Sequence, residues 1–208
     1  MSALTTLAKI GPGCAGMEVS AEEFDEIEDF EDGYRYELIR GVLIVSPSPL
    51  PEERGPNEEL GRLLGNYQEG DPRGAALDGT LAEHTIDVGS NRRRADRAIW
   101  AGLGRMPHPK LDAPTIVVEF VSADRRDWVR DYVEKKREYL AIGVLEYWVI
   151  DRFRRTLTVF RHPPAAPGEE IVPESRTYQT PLLPGFELPL SRLLAVADRW
   201  AGVKENEA

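Results

Sequence analysis

The chain has 208 residues, a formal net charge of −10, and 41% hydrophobic and 30% charged residues. This length and composition are typical of one soluble globular domain with a sizeable core. The acidic charge argues against a broad surface that coats nucleic acid, although metal ions and a local basic patch can offset acidic ligands at a smaller site. Cys14 is the only cysteine, which excludes a disulfide framework or a cysteine zinc cluster within one chain.

The ends of the chain are predicted to lie outside the folded core. Residues 1–16 have no sustained apolar run, so we expect a flexible tail and a poor secretion signal. The longest apolar runs are far shorter than the roughly 20 residues of a membrane span. We therefore predict no membrane association, a cytoplasmic location, one domain over residues 17–202, and a second tail over residues 203–208.

The first half of the chain is predicted to alternate helices and strands. A capping-box pattern at residues 20–23 predicts the start of a short helix. Two β-prone runs joined at Arg40-Gly41 predict an N-terminal hairpin. The further elements predicted here are strands over 34–39 and 42–45, a helix over 52–67, and strands over 83–88 and 95–100.

The second half contains the most apolar strand, residues 115–121, whose two faces are both suited to burial. The elements predicted after it are a helix over 124–142, a C-terminal hairpin of strands 144–150 and 156–161, a Pro-rich connection over 163–173, and a closing helix over 190–201. Strands, a helix and more strands predict an α/β chain of the α+β type, with a central mixed β-sheet flanked by helices.

Glu119 lies inside this apolar strand, where a carboxylate is costly unless it is paired or binds a metal. We therefore predict that Glu119 is a functional acid. Asp96 lies upstream on a predicted strand, and two acids on adjacent strands can converge on one Mg²⁺, which prefers oxygen ligands. Such an ion can polarise a phosphodiester. Taken alone, Asp96 is better explained by a salt bridge to neighbouring arginines, but together with Glu119 the balance shifts toward a metal site.

A lysine would complete a hydrolytic site by orienting water or offsetting charge on a phosphate. The helix predicted after Glu119 contains Lys135 and Lys136. At about 100° per residue, Lys136 falls near the middle of the apolar face and Lys135 near its edge. The alternative is that both lysines extend into solvent. Glu37, in the first hairpin, is a further candidate acid, although its position alone carries little weight.

Several segments match a known pattern in order and spacing: AEEF at 21–24, YELIRGVL at 36–43, RAD at 94–96, VVEFVS at 117–122, Lys135 with Tyr139, GVLEYWVID at 143–151, and PGFEL at 184–188. They resemble the PD-(D/E)XK nuclease superfamily and, more closely, the Uma-two family of restriction-endonuclease-like proteins. No single segment is specific, but their order and spacing together are fairly specific, and the resemblance spans roughly residues 17–200.

The resemblance implies a restriction-endonuclease-like core and an endonuclease that uses Mg²⁺ or Mn²⁺ to hydrolyse DNA phosphodiester bonds. It implies that Asp96 and Glu119 bind the metal and that Glu37 is an additional acid. The usual superfamily lysine position is Val121 in this chain. In this family the lysine lies on the next helix, four residues before a tyrosine. That spacing selects Lys135, with Lys136 as the alternate.

The sequence also departs from the family pattern. Ala95 replaces the proline that usually precedes the first aspartate, and residues 51–61 lack the histidine often found there. Two alternatives stay open: a catalytically silent nuclease fold that acts as a binding or assembly module, and a nuclease acting on RNA. The acidic charge and the missing superfamily lysine favour the first alternative. A homodimer is expected because duplex cleavage needs two cuts and two-fold symmetry is common.

Overall fold

The structure is a computed structural model that describes residues 9–122, 130–164 and 168–205. The described residues form two compact units. The first contains the residues up to Pro49 together with Thr85–Arg94, and the second contains Leu50–His84 together with the residues from Ala95 onward. The prediction of one domain over residues 17–202 stays a prediction.

The first unit is built on a β-hairpin. Strands β1 (Tyr34–Ile39) and β2 (Val42–Pro47) pair antiparallel. The turn residues Arg40 and Gly41 have φ values of 52° and 76°. Two consecutive positive φ values are typical of the two-residue turn whose twist matches that of the flanking strands. The predicted N-terminal hairpin is confirmed.

Helix α1 (Ala21–Asp25) begins after Ser20, as the capping-box pattern predicts. The Ser20 hydroxyl accepts a hydrogen bond from the Glu23 amide at 3.2 Å, and the Glu23 carboxylate accepts one from the Ser20 amide at 2.8 Å. Each side chain therefore satisfies an amide that the first helical turn leaves without a partner.

The predicted flexible tail over residues 1–16 differs from the structure in its second half. Ile10 is 2% exposed, and both Ile10 and Cys14 belong to the hydrophobic core of the first unit. This segment has no helical or strand periodicity, so only its tertiary contacts fix it. Residues 1–8 lie outside the described residues.

The second unit carries most of the sheet and the longer helices. Strands β3 and β4 contribute residues to both units. The remaining elements are α2 (Pro51–Gly70), β3 (Leu77–Val88), β4 (Asn91–Ala101), β5 (Ile116–Phe120), a π-helix (Arg130–Lys135), α3 (Lys136–Ala141), β6 (Glu146–Asp151), β7 (Thr156–Arg161), β8 (Glu169–Pro173), β9 (Thr177–Tyr178), β10 (Leu188–Pro189) and α4 (Leu190–Glu205).

The strand order is β2-β1-β4 in the first unit and β4-β5-β6-β7-β8 in the second, and β3 pairs with β4. β5 and β6 are parallel, whereas β4–β5, β6–β7 and β7–β8 are antiparallel. The sheet is therefore mixed. The β6–β7 pair confirms the predicted C-terminal hairpin.

Helices cover both faces of the sheet in the second unit. On one face, Val118 and Trp148 pack with Leu64 of α2 and Leu193 of α4 in the main hydrophobic core. On the other face, the π-helix and α3 cover β5 and β6. The Tyr139 hydroxyl of α3 donates a hydrogen bond to Glu119 of β5, and the Tyr147 hydroxyl of β6 donates one to the Asp131 carbonyl of the π-helix. The predicted mixed sheet flanked by helices is confirmed, and this second face carries the candidate site.

One segment differs from the prediction, and a second is only partly described. The Pro-rich connection over 163–173 contains strand β8, which pairs with β7 and buries Val172. Pro173 is compatible with this strand because it lies at the end of an edge strand, where no amide donor is needed. The predicted helix over 124–142 is partly outside the described residues, since the structure describes it only from Arg130 onward.

Across the described residues, no helix combines the length and the apolar character that a membrane crossing requires.

Candidate active site

Glu119 lies at the centre of the sheet in the second unit. Every residue of β5 is buried, and the Glu119 side chain is 2% exposed. Successive side chains of a strand point to opposite faces. Since Val118 and Phe120 pack in the core with α2 and α4, Glu119 points to the face covered by the π-helix and α3.

Asp96 lies on β4, the strand next to β5. The β4–β5 ladder is antiparallel and ends at the pair of Arg97 and Val118, so Asp96 and Glu119 are the next residues of their strands beyond that pair. Because side chains alternate along a strand, both project to the face opposite that of Arg97 and Val118. Asp96 is 5% exposed, and its Oδ2 accepts a hydrogen bond from the Phe120 amide at 2.6 Å. The two acids therefore share one face of the sheet.

Lys135 reaches this pair from the covering helix. Its Nζ lies 2.8 Å from Oε1 of Glu119 and 3.8 Å from Oδ1 of Asp131, and the three side chains are each 2% exposed. The Tyr139 hydroxyl donates to the same Oε1 at 3.2 Å. Glu119 is thus held by two donors from one helical segment.

Lys136 points elsewhere. Its Nζ lies 3.9 Å from the ring centroid of Phe160 and 3.9 Å from Oε2 of Glu169, and its side chain is 35% exposed. The structure therefore brings Lys135, rather than Lys136, to Glu119.

The helical register explains why an α-helical wheel favours the wrong lysine. Residues 130–135 form a π-helix, in which each turn contains more residues than an α-helical turn. A face computed at the α-helical spacing drifts along such a segment. Val133, which counts toward the apolar face in the sequence, is 53% exposed. The family motif does not depend on helical phase, because it is defined by the four-residue spacing between Lys135 and Tyr139.

Glu37 lies on β1 in the first unit. It is 6% exposed, and its Oε1 accepts a hydrogen bond from the Arg94 amide at 3.0 Å. The carboxylate is thus buried and oriented by the backbone of β4.

Sequence reasoning missed Asp131, which is 1% exposed. Its Oδ1 accepts a hydrogen bond from Nε of Arg130 at 3.2 Å, and its backbone carbonyl accepts one from the Tyr147 hydroxyl at 2.9 Å. One signal could have identified it, namely an acid four residues before Lys135, because side chains at this spacing lie on the same helical face.

Comparison with known proteins shows which family the chain belongs to. The Uma2 family model, described as "Putative restriction endonuclease", matches residues 21–191. The chain belongs to the Uma2 family. The predicted family is therefore confirmed. No curated protein sequence matches the chain.

A solved structure shares the fold of this Uma2 chain. It is a crystal structure of "a putative nuclease belonging to DUF820" from Anabaena variabilis. The similarity covers 86% of this chain and 99% of the other, with a TM-score of 0.68 and 16% sequence identity. At 16% identity the structural similarity establishes the fold alone, and it confirms the predicted fold class, a mixed sheet flanked by helices as in this nuclease structure.

Burial dominates the electrostatics of the Uma2 site. It raises the pKa of Glu119, which the Lys135 ammonium lowers again and the charges of Asp96 and Asp131 raise further. The pKa of Asp131 is also raised by burial, against the opposing effects of Lys135 and Arg130. Burial, followed by the charge of Glu119, raises the pKa of Tyr147 well above its usual value. Burial and mutual repulsion thus favour the uncharged forms of these acids, and the Lys135 ammonium opposes this effect at Glu119 and Asp131.

This donor set suits a hard divalent cation. The described parts of the chain contain no group of three or more His, Cys, Asp or Glu side chains that could hold a metal ion. Mg²⁺, however, is usually held by one or two carboxylates, with water and substrate phosphates completing the shell. Asp96 and Glu119 supply two carboxylates on one face, and their mutual repulsion is what a cation would relieve.

Proposed function

We propose that this Uma2 protein is a divalent-metal-dependent endonuclease that hydrolyses DNA phosphodiester bonds. The strongest support is the buried contact of 2.8 Å between Lys135 and Glu119, with Asp96 on the same face of the neighbouring strand. A metal-dependent hydrolytic site needs acids to hold a cation and a positive group to meet the phosphate, and these three residues supply both. The family description also supports an endonuclease.

Asp96 and Glu119 would hold Mg²⁺ or Mn²⁺. When bound, the cation supplies Lewis-acid polarisation of the phosphodiester and lowers the pKa of a water molecule. The Phe120 amide orients the Asp96 carboxylate, and the Tyr139 hydroxyl orients that of Glu119. These donors restrain the two carboxylates before a metal ion or substrate binds.

Lys135 places its Nζ 2.8 Å from Glu119 Oε1, in a site from which water is largely excluded. There its charge interacts more strongly with a phosphate or an attacking water than it would in solvent. We assign Lys135 the role of orienting the water or offsetting charge on the scissile phosphate. Lys136 lies against Phe160 and is assigned no role in catalysis.

Glu37, the additional acid that the family pattern implies, lies in the first unit, where the Arg94 amide orients its Oε1. Its role in supporting the attacking water or a second ion stays a prediction.

The test is cleavage of supercoiled plasmid DNA in Mg²⁺ or Mn²⁺. Asp96→Asn and Glu119→Gln should abolish metal-dependent cleavage, because each removes one anionic ligand. Glu69→Gln, at an exposed position of α2, is the matched control and should cut like the wild type. If the wild-type protein cleaves no DNA or RNA in either metal, the enzymatic proposal fails.

A catalytically silent nuclease fold that serves as a binding or assembly module is the second candidate. One observation favours it: Glu119 is already paired with Lys135, and Asp96 already accepts the Phe120 amide. Calorimetric titration with Mg²⁺ and Mn²⁺ separates the two candidates, since a silent module with paired acids should bind neither ion. Parallel assays on single- and double-stranded RNA test whether the substrate is RNA instead of DNA.

We also propose that the protein is a homodimer in the cytoplasm. Two cuts in a duplex are most simply made by two symmetry-related sites. Light scattering after size-exclusion chromatography measures the mass in solution, and a monomer at working concentrations would contradict the dimer.

A further inference from the structure

Among the described residues, Glu119 and Asp131 are buried carboxylate neighbours of Lys135. Its Nζ is within hydrogen-bonding distance of Glu119 Oε1, at 2.8 Å, and 3.8 Å from Asp131 Oδ1. Asp131 precedes Lys135 by four residues, a spacing that holds two side chains on the same helical face. The ammonium therefore contacts one carboxylate directly, and a second lies about 0.6 Å beyond the usual hydrogen-bond limit of about 3.2 Å.

Asp131 is held in place independently of Lys135. Its backbone carbonyl accepts the Tyr147 hydroxyl at 2.9 Å, which ties the π-helix to β6. Its Oδ1 accepts a hydrogen bond from Nε of Arg130 at 3.2 Å, and the Arg130 side chain is 28% exposed. The second carboxylate is thus a fixed acceptor, with one cation at the rim of the buried region.

The proposed metal site creates a conflict at Glu119. A divalent cation on the Glu119 carboxylate would repel an ammonium at 2.8 Å from the same oxygen. A buried ammonium that loses its partner is strongly destabilised unless another acceptor takes it. Lysine has a flexible stem with several rotatable bonds, so a shift of about 1 Å is within its reach.

We propose that Asp131 is a positioning residue that receives the Lys135 ammonium when Glu119 binds the divalent cation. This movement of the ammonium from Glu119 to Asp131, called the hand-over below, keeps Lys135 charged and inside the site while the Glu119 carboxylate turns to the metal. It rests on the proposed function for its metal-driven step. The geometry of the hand-over, however, is testable without metal.

The metal-free test is a crystal structure of Glu119→Met, which removes the carboxylate and leaves a side chain that accepts hydrogen bonds poorly. We expect the distance from Lys135 Nζ to Asp131 Oδ1 to shorten from 3.8 Å to about 3 Å. Asp96 is the rival acceptor on the same face. Movement of the ammonium to Asp96 or to solvent would overturn the hand-over.

The metal-dependent test is a double-mutant cycle on Mn²⁺ affinity, measured by calorimetry. Asp131→Asn should weaken Mn²⁺ binding about 10-fold in the wild-type background, a coupling of about 1.4 kcal/mol. In the Lys135→Met background the same change should alter affinity by less than about 2-fold, because no ammonium remains to be moved. Asp131→Glu, which keeps the charge, should recover most of the lost affinity.

The other outcomes are decisive as well. If Asp131→Asn weakens Mn²⁺ binding equally in both backgrounds, Asp131 acts directly on the metal, and the positioning role is wrong. If Asp131→Asn leaves Mn²⁺ affinity unchanged in both the wild-type and the Lys135→Met backgrounds, the hand-over does not occur. If the wild-type protein binds no Mn²⁺, the proposed function and the metal-driven step both fail, whereas the Glu119→Met structure still judges the geometry separately.

Discussion

The amine of Lys135 lies 2.8 Å from the Oε1 atom of Glu119, and both side chains are 2% exposed. A buried ion pair is weak evidence for stability, because desolvation of the two charges offsets much of their attraction. Apolar side chains of similar volume would often stabilise such a position as well or better. The pair, with Asp96 on the same face of the sheet and Asp131 beside Lys135, is therefore a test case for the proposed function.

Lys135→Met and Lys136→Met form a matched pair of variants on adjacent residues. We expect Lys135→Met to lower metal-dependent cleavage by at least about 100-fold, the size of effect typical for loss of a charged group that stabilises a transition state. Lys136→Met should change it less than about 3-fold, since Lys136 contacts Phe160 and Glu169 instead. Single-turnover cleavage rates measure both.

Loss of Lys135 also leaves Glu119 buried without its cation, which costs about 3–5 kcal/mol if the carboxylate stays charged. Circular dichroism and urea unfolding must therefore show that Lys135→Met is folded at the assay temperature. Lys135→Arg keeps the charge and serves as a second variant. Equal losses of cleavage in the variants at 135 and 136 would contradict the assignment of Lys135.

Tyr139→Phe removes the hydroxyl that donates to Glu119 Oε1 at 3.2 Å but keeps the ring, whose centroid lies 5.3 Å from that of Tyr147. We expect the free energy of unfolding to fall by about 1–2 kcal/mol, because a buried carboxylate loses a donor. Urea denaturation measures the change. Tyr34→Phe, at a half-buried position in the first unit, should change stability by less than about 0.5 kcal/mol. Equal effects at the two positions would argue against the bond at Glu119.

Leu64→Ala should destabilise the protein by about 2–5 kcal/mol, because Leu64 is 0% exposed and its truncation leaves a cavity in the core between α2 and the sheet. That core lies on the face away from Glu119, so Mn²⁺ affinity should stay unchanged in the folded protein. Thermal unfolding and calorimetry measure the two effects separately. Leu111→Ala, at a side chain that is 79% exposed, is the control. A large effect of Leu111→Ala would contradict the assigned exposure.

Glu59 links α2 to α4 through Arg192, and it also pairs with Arg62. Partial burial raises its pKa, but the hydrogen bonds from these two arginines outweigh this effect and hold the pKa below its usual value. A lowered pKa in the folded state means that Glu59 stabilises the protein above its unfolded pKa, about 4.3, and that this contribution is lost as pH falls through the folded pKa.

We therefore expect Glu59→Gln to lower the free energy of unfolding by about 0.5–1 kcal/mol at pH 7, a modest value because both arginines are about half exposed and screened. The difference from wild type should shrink toward zero as pH falls below about 4. Urea unfolding at pH 7 and at pH 3 measures it. An unchanged deficit at pH 3 would show that the effect is not ionic.

The local pattern was enough to predict several elements. Arg40-Gly41 predicts a hairpin because both turn residues need positive φ, and the structure has these values. Ser20 predicts the start of α1 because its hydroxyl and Glu23 satisfy amides within the same turn. Such features depend on neighbours a few residues apart, so the sequence alone contains their physical cause.

Strand β8 was not predictable in the same way. Its proline content favours a loop, and only pairing with β7 stabilises it as an edge strand. The burial of Ile10 likewise depends on contacts with distant residues of the first unit.

At the candidate site, the sequence by itself determined that Glu119 is buried, because apolar residues flank it on both faces of a central strand. The family motif added Asp96 and Lys135. The tertiary structure decided between Lys135, which the family motif selects, and Lys136, which the helical wheel favours, and it alone showed that Asp131 lies beside Lys135. The reason is geometric: a π-helix shifts the face that an α-helical wheel assigns, and only packing against β5 and β6 fixes where that face points.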